Sequence, residues 1–271
     1  MEQQSFVNIS QIRKKLVICL AASIFVVDLL VFATVGSELE LFVSDLTRIG
    51  VVASSVIVAS ITVARQKTGG LFGRAYLALA IGLALWLAAE STWAYYELVE
   101  QTERPFPSLA DAFWIIGYGP FIYHLFSTSR FFGKGVKKPV VVIVSIGVSL
   151  FMSFIIGSIV MLFDLSDPES TVPLLVSVAY PIFDATCVIP ALLIVTNAGR
   201  GQLTSIPWIF VAVILFVIGD SLLGLTLIVE TSEVFHITMI LNAGYLCVTA
   251  GLVWYNKMFI TDEKRLSKPQ K

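Results

Sequence analysis

Eight apolar segments run through this 271-residue sequence, and they restrict its fold more than any other feature. Each is about 19–25 residues long, enough for a helix to cross a hydrocarbon core of about 30 Å. The segments are continuous apolar runs, without the alternating pattern of membrane barrel strands. We therefore predict an all-α integral membrane protein with eight transmembrane helices, at residues 16–35, 46–64, 74–98, 109–130, 139–163, 172–196, 206–229 and 237–258.

The composition agrees with residence in a membrane. The sequence is 57% hydrophobic and 14% charged, whereas soluble domains have about 25% charged residues. The formal net charge of −1 gives no electrostatic footprint for nucleic acid. We therefore expect the lipid bilayer as a partner and exclude nucleic acid.

The distribution of basic residues predicts the orientation. Sixteen of the 18 Lys and Arg residues precede the first segment, follow the last one, or lie in the connections after the second, fourth and sixth segments. Only Arg48 and Arg104 fall at the other connections. The positive-inside rule then places both termini in the cytoplasm of a multi-pass protein of the cell membrane. The opposite connections are acidic, with Glu38, Glu40, Asp45, Glu100, Glu103, Asp164, Asp167, Glu169, Glu230 and Glu233.

A short internal repeat predicts two halves. Glu90-Ser91 precedes Gly117-Tyr118 by 27 residues, and Asp220-Ser221 precedes Gly244-Tyr245 by 24 residues. Two four-helix halves would run parallel, related by a pseudo-two-fold axis along the membrane normal. The predicted organisation is an N-terminus at 1–15, a first half at 16–130, a cytoplasmic linker at 131–138, a second half at 139–258 and a basic cytoplasmic tail at 259–271.

Five acidic residues lie inside the predicted spans, all between the midplane and the outer face: Asp28, Glu90, Asp111, Asp184 and Asp220. A charged side chain at the bilayer centre costs about 2.5–3.5 kcal/mol, so these residues should face the bundle interior or a wet cavity. Arg48 and Arg104 could reach them only from the outer loops, so we expect no matched internal cations. The carboxyl groups are then protonated, hydrogen-bonded to neutral side chains, or bound to a cation.

The third segment carries a polar face. Trp86, Glu90, Trp93 and Glu97 follow a helical spacing of three or four residues. This face suits a cavity wall with indole N–H donors, although the tryptophans could instead be interfacial anchors. The predicted ligand-binding set is Glu90, Asp220, Asp184, Asp111, Trp93, Trp86 and Glu97, and whether a metal binds there is left open.

Asp111 also has a local interpretation. The sequence Ser108-Leu109-Ala110-Asp111 matches a capping box, in which Ser108 caps the helix and Asp111 accepts from the Ser108 N–H. Pro105 and Pro107 prevent a helix from continuing through the preceding loop. This role alone would account for Asp111, so Glu90 and Asp220 are the stronger site candidates.

No motif favours an enzyme, and we predict no catalytic residue and no cofactor. Metalloprotease, nucleotide-loop and serine-protease motifs are missing from the sequence. Asp184 and Asp220 on neighbouring spans resemble the paired aspartates of presenilin-type proteases, but Val217 occupies a position where that motif has glycine. Cys19, Cys187 and Cys247 lack metal-ligand spacing, and we interpret them as packing residues.

The segments "PFPSLADAFWIIGY" at 105–118, "AYPIFD" at 179–184 and "GDSLLG" at 219–224 carry a family resemblance. Together they resemble an eight-span sensory region of bacteria and archaea that precedes diguanylate cyclase, phosphodiesterase or histidine-kinase domains. The likeness covers roughly residues 75–250 and implies a prokaryotic sensor-like protein. The sequence has Gly-Tyr-Gly-Pro at 117–120, where that family often has Gly-Tyr-Pro, and we expect no output domain after the last span.

Three functions fit these observations. The first is a receptor-like module that binds a small ligand or cation in an outward-facing cavity and signals to a separate cytoplasmic or membrane partner, as a single chain or a homodimer. The second is a proton- or cation-coupled transporter that uses the same carboxylates. The third is a structural subunit of a membrane complex, with the acids bridging helices. A water-accessible cavity shared by Glu90 and Asp220 would distinguish the first two from the third.

Overall fold

The computed structural model describes residues 2–102, 105–132, 136–197, 206–229 and 235–266. Within these ranges the chain is all-helical, with eight long α-helices. They are α1 (Glu2–Thr34), α2 (Glu40–Gln66), α3 (Gly70–Tyr95), α4 (Leu109–Phe132), α5 (Lys138–Val160), α6 (Thr171–Asn197), α7 (Ile206–Val229) and α8 (Phe235–Leu266). Each predicted apolar segment coincides with one helix, but α2 begins six residues before the predicted start at residue 46.

Several charged residues used for the predicted orientation lie outside the described residues: Glu103, Arg104, Lys134, Arg200, Glu230, Glu233, Lys268 and Lys271.

Six of the described helices are long and apolar enough to cross a membrane: α1, α2, α3, α5, α6 and α8. A shorter apolar stretch, Trp208–Gly224, lies in α7. The α4 helix is not one of these six; glycine, proline, tyrosine and histidine interrupt the hydrophobic side chains in its described part. Large apolar side chains such as Phe25 on α1 and Phe154 on α5 are exposed, as lipid-facing residues would be. These features fit a multi-pass membrane protein.

The consecutive helices α3 and α4 pack antiparallel. In α3 and α4, Trp86 contacts Trp114 while Ala75, further towards the start of α3, contacts His124 near the end of α4. The α2 and α8 helices instead run side by side in parallel, because Ser44 bonds Thr238 near their starts and Arg65 bonds Asn256 towards their ends. The α4 and α6 helices are parallel in the same way.

The two ends of the bundle differ in packing. Among the described residues, the end where α2 finishes contains fully buried apolar side chains such as Leu79, Leu125, Leu252 and Trp254. The many van der Waals contacts between such closely packed side chains stabilise this end of the bundle. The other end, formed by the α1–α2, α3–α4 and α5–α6 connections and the start of α8, contains a cavity.

Candidate ligand-binding site

A cavity of about 240 Å³ enters the bundle at this end and reaches its middle. Side chains from all eight helices or their immediate ends line it, so the fold as a whole shapes the void. Its volume lies below the range of about 300–1,000 Å³ that is common for drug-sized ligands. The cavity is therefore of a size that suits a small molecule.

All seven residues of the predicted set line this one cavity: Trp86, Glu90, Trp93, Glu97, Asp111, Asp184 and Asp220. Glu90 and Asp184 are almost completely buried, so they face the void from within the protein and not from its surface. Glu90 and Asp220 therefore share one cavity, as the receptor and transporter hypotheses require. Ligand binding by these residues stays a prediction.

Glu90 is paired with a cation, which corrects the expectation that the acids have none. Arg48 Nη1 donates to Glu90 Oε2 at 3.5 Å, and the two side chains are 14% and 3% exposed. Arg48 Nη2 donates to Thr238 Oγ1, and the Tyr245 hydroxyl donates to Glu90 Oε1 at 3.3 Å. The sequence placed Arg48 at the outer loop, but because α2 starts at Glu40, Arg48 lies two turns inside the helix.

Asp184 and Asp220 meet at a single tyrosine. The Tyr118 hydroxyl lies 2.8 Å from Asp184 Oδ1 and 2.9 Å from Asp220 Oδ2. A tyrosine hydroxyl has one proton and can donate to only one carboxylate at a time. The two carboxyl groups therefore share one hydroxyl donor.

Asp111 makes the capping interaction that the sequence predicted for it. Its Oδ2 accepts from the Ser108 N–H at 2.7 Å and from the Ser108 hydroxyl at 2.9 Å, and the Ser108 oxygen accepts from the Ala110 N–H at 3.2 Å. The capping interaction is therefore confirmed. Its other oxygen, Oδ1, accepts from the Tyr180 hydroxyl at 2.8 Å, which fixes α4 to α6 beside the cavity.

Aromatic rings form the floor of the cavity. Trp86 packs edge-on against Tyr118 and Phe216, both with ring centroids 5.4 Å away, and Phe216 packs against Tyr245 at 4.8 Å. Such edge-to-face pairs are favoured by the aromatic quadrupole. The Trp86 indole N–H donates to the Trp114 carbonyl oxygen at 3.0 Å, which holds the ring in place.

Two glycines give these rings their space. A Cβ at Gly117 would overlap the Trp86 indole, and a Cβ at Gly244 would lie 2.6 Å from Cε1 of Phe216. Both glycines directly precede the tyrosines that bond the acids, Tyr118 and Tyr245. Close helix approach at glycine is a common packing device in membrane bundles.

A ladder of hydrogen bonds joins α2 to α8 along their length. Besides the Ser44–Thr238 contact, the Ser55 hydroxyl lies 2.8 Å from Thr249 Oγ1. Towards the opposite end of the bundle, Asn256 donates to Thr62 Oγ1 at 2.5 Å and accepts from Arg65 at 3.1 Å. The ladder therefore connects the cavity to the far end of α8.

Some buried polar groups lack a hydrogen-bond partner in the described part of the chain, among them Ser177 Oγ, Arg48 Nε, Asp28 Oδ1 and Asp45 Oδ2. Of these residues, Ser177 and Arg48 line the cavity. Such unsatisfied groups are costly unless water or a ligand reaches them. Ser177, Arg48, Tyr118, Tyr180 and Tyr245 were not among the predicted site residues, although Tyr118 and Tyr245 were marked by the repeat.

No group of three or more His, Cys, Asp or Glu side chains in the described ranges could hold a metal ion. The three cysteines are all free thiols, with Cys187 and Cys247 buried and Cys19 exposed on α1. His124 is buried with Nδ1 3.0 Å from the Ala75 carbonyl oxygen, away from the cavity lining.

Comparisons with protein-family models, curated proteins and solved structures find no match for this chain. Function therefore has to be argued from the geometry of the cavity.

Proposed function

We propose that this protein is a receptor-like, multi-pass membrane module that binds a small ligand or cation in the cavity. One observation carries the proposal: six carboxyl side chains but a single basic one, Arg48, line the void among the described residues. The carboxyl groups belong to Glu40, Glu90, Glu97, Asp111, Asp184 and Asp220.

The charge of the cavity determines the kind of ligand. A cleft with low-dielectric walls and charges of one sign focuses the electric field and concentrates ions of the opposite sign. Arg48 already has Glu90 as its partner. The remaining carboxyl groups therefore favour a ligand that brings positive charge or hydrogen-bond donors.

All eight helices cross the membrane in this proposal, with both termini in the cytoplasm. The cavity mouth is lined by Glu40 and Leu41 at the start of α2, Phe163 after α5, and Phe235 at the start of α8. Acidic residues predominate in the connections at that end, and basic residues at the other end. The positive-inside rule then makes the mouth outward-facing.

The proposal includes two parallel four-helix repeats, supported by a reciprocal pair of contacts. Tyr118 of the first half bonds Asp220 of the second, and Tyr245 of the second half bonds Glu90 of the first. Trp86 and Phe216, four residues before these acids, contact Gly117 and Gly244 respectively. An exchange of this kind is expected when two related halves meet around an axis through the cavity floor.

Signalling to a separate partner is the activity that the resemblance to sensory regions implies. Beyond Trp86, away from the cavity mouth, the bundle is filled by side chains such as Leu83 and Leu79, each fully buried. A cavity that is lined by residues at one end of the bundle suits a receptor. The α2–α8 ladder offers a physical connection from the cavity to the cytoplasmic end, where a signalling partner or a second copy of the chain would bind.

A proton- or cation-coupled transporter is the second candidate, and the two-half arrangement favours it. Repeats that rock against each other are a general basis for alternating access. The third hypothesis, a structural subunit, requires no void between the acids, and the observed cavity gives it no support.

The test is whether water-soluble reagents reach the cavity from outside. Ser177, 7% exposed and lining the void, is replaced by cysteine in a chain whose exposed Cys19 is changed to alanine. We expect a membrane-impermeant maleimide, added to intact cells, to label Ser177→Cys above the background of the parent chain. Labelling from the cytoplasmic side of inverted vesicles as well would favour the transporter.

Two further cysteine variants are the positive and negative controls for this labelling. Ser166→Cys, in the exposed α5–α6 connection, should react fully from outside, and Ser55→Cys, buried between α2 and α8, should not react. If Ser177→Cys is as unreactive as Ser55→Cys while Ser166→Cys reacts, the receptor proposal fails.

A further inference from the structure

We infer that the ligand of the cavity is a small organic ammonium ion that donates N–H bonds to Asp184 and Asp220 beside Tyr118. This inference rests on the proposed function and adds the chemical class of the ligand and the place where its charged group binds. It follows from three independent features of the cavity. They are the shortage of hydrogen-bond donors at the two acids, the apolar and aromatic walls, and a buried hydroxyl that has no hydrogen-bond partner in the described residues.

The first feature is the number of hydrogen-bond donors that reach the two acids. Two carboxyl groups have four oxygens that accept hydrogen bonds, and Tyr118 supplies one O–H between them. Arg48 is committed to Glu90 and Thr238. An ammonium group carries up to three N–H donors and a positive charge, so it supplies what the pair lacks.

A bare metal ion fits the pair less well. Cations such as Ca²⁺ take six to eight oxygen ligands, and no cluster of three or more ligating His, Cys, Asp or Glu side chains occurs in the described residues. Most of the residues that line the cavity are apolar or aromatic. An ion with a carbon skeleton buries apolar surface against those walls, which a hydrated ion cannot do.

The aromatic walls also favour an organic cation. The cavity lining includes Trp86, Trp114, Tyr118, Tyr180 and Phe216, the first four of which are Trp or Tyr. The faces of these rings attract cations, most strongly where water is excluded. Carboxylates and aromatic rings together form a site for an ammonium group joined to apolar carbon.

Ser177 indicates a second polar group on the ligand. It lies on α6 seven residues before Asp184, two turns along the same face and about 10 Å along the helix axis. Its hydroxyl lines the cavity, is 7% exposed and has no hydrogen-bond partner in the described part of the chain. A ligand with a hydroxyl or similar group a few carbons from its ammonium nitrogen would bond both residues.

The test uses the full chain in lipid nanodiscs and isothermal titration calorimetry. The probes are 4-amino-1-butanol and tyramine, with their neutral counterparts 1,4-butanediol and 4-ethylphenol, and with tetramethylammonium and potassium as cations that lack N–H donors. We expect at least one primary ammonium probe to bind and both neutral counterparts to bind at least about tenfold more weakly, because a charged hydrogen bond contributes about 1.5–3 kcal/mol.

Variants locate the contacts. Asp220→Asn and Asp184→Asn should each weaken ammonium binding about tenfold or more, and Ser177→Ala about two- to tenfold, as for one neutral hydrogen bond. Ser158→Ala on α5, where the hydroxyl donates to the Phe154 carbonyl oxygen and does not line the cavity, is the control and should leave the affinity unchanged.

The inference is overturned if tetramethylammonium or potassium binds as tightly as the primary amines, if Asp220→Asn leaves the affinity unchanged, or if neither primary amine binds. The maleimide experiment separates this failure from the failure of the proposed function. A reactive Ser177→Cys with no ammonium binding would refute the ligand class and retain the outward-facing cavity. An unreactive Ser177→Cys would refute both.

Discussion

Glu90 and Asp220 hold matching places in the proposed internal repeat, yet their surroundings differ. Glu90 accepts from the Arg48 guanidinium and from the Tyr245 hydroxyl, and its charge is compensated. Asp220 shares the Tyr118 hydroxyl with a second carboxyl group, Asp184, and has no cation within salt-bridge distance in the described residues. One acid is therefore satisfied by the protein, and the other is left short of donors.

From this difference we infer separate roles for the two acids. A buried ion pair that is complete contributes to specificity of packing and costs much when one partner is removed. A buried acid pair with too few donors is unfavourable in the empty protein and is a place where a ligand gains affinity. We therefore expect the Glu90 region to maintain the structure and the Asp220 region to bind.

Removal of the cation should give the largest effect. Arg48→Met leaves Glu90, which is 3% exposed, without its compensating charge. We expect a loss of about 3–5 kcal/mol in the free energy of unfolding, as for other buried pairs broken on one side. Thermal unfolding in nanodiscs measures the loss. The double variant Arg48→Met/Glu90→Gln should recover most of it, and a double variant no more stable than the single would contradict the pairing.

Neutralising each acid in turn should change stability in opposite directions. Glu90→Gln removes a charge-assisted bond to Arg48 and should lower stability by about 1.5–3 kcal/mol. Asp220→Asn places an amide donor beside Asp184 and Tyr118, and should raise the stability of the empty protein by about 0.5–1 kcal/mol while reducing ligand binding. Equal losses in both variants would show that the two acids are equally satisfied.

Alanine at the two glycines tests the packing that the halves share. Gly117→Ala drives a methyl group into the Trp86 indole, and Gly244→Ala does the same to the Phe216 ring. Overpacking of this kind costs about 1–3 kcal/mol, and we expect similar losses at both sites. Gly119→Ala, with no atom within 4 Å of the added carbon, is the matched control and should be nearly neutral. A loss at only one of the two glycines would argue against related halves.

A small loss of stability is expected at the cap of α4. Ser108→Ala removes the hydroxyl that accepts from the Ala110 N–H and donates to Asp111. Loss of an N-cap costs about 1 kcal/mol. Because Tyr180 still bonds Asp111, ammonium binding should be little affected. A change in affinity as large as that of Asp220→Asn would place the cap inside the binding site.

Much of this architecture could be predicted from the sequence because it depends on local patterns. Apolar length predicted the eight helices, and residue spacing on α3 placed Trp86, Glu90, Trp93 and Glu97 on one face. The cap at Asp111 followed from four consecutive residues. Each of these features is determined within one helix or one turn.

The partners of the acids could not be predicted in the same way. Arg48 was misplaced because six further residues of α2 are helical, a boundary error that changed its depth by nearly two turns. The Tyr118 bridge and the unpaired Ser177 depend on the register between α4, α6 and α7, which no single segment encodes. The predicted repeat pointed to Gly117-Tyr118 and Gly244-Tyr245. It did not indicate that each tyrosine bonds an acid of the other predicted half.

The α2–α8 ladder has a mechanical consequence. Its contacts at Ser44–Thr238, Ser55–Thr249 and Thr62–Asn256 lie in sequence along two parallel helices. Sliding α8 along its axis would strain all of these contacts at once. Tilting α8 would break them one after another, starting from one end. Because Thr238 and Tyr245 of α8 also bond the Arg48–Glu90 pair, a disturbance at the cavity would begin that opening at the cavity end of α8. The easier motion for α8 is therefore a tilt that starts at the mouth of the cavity.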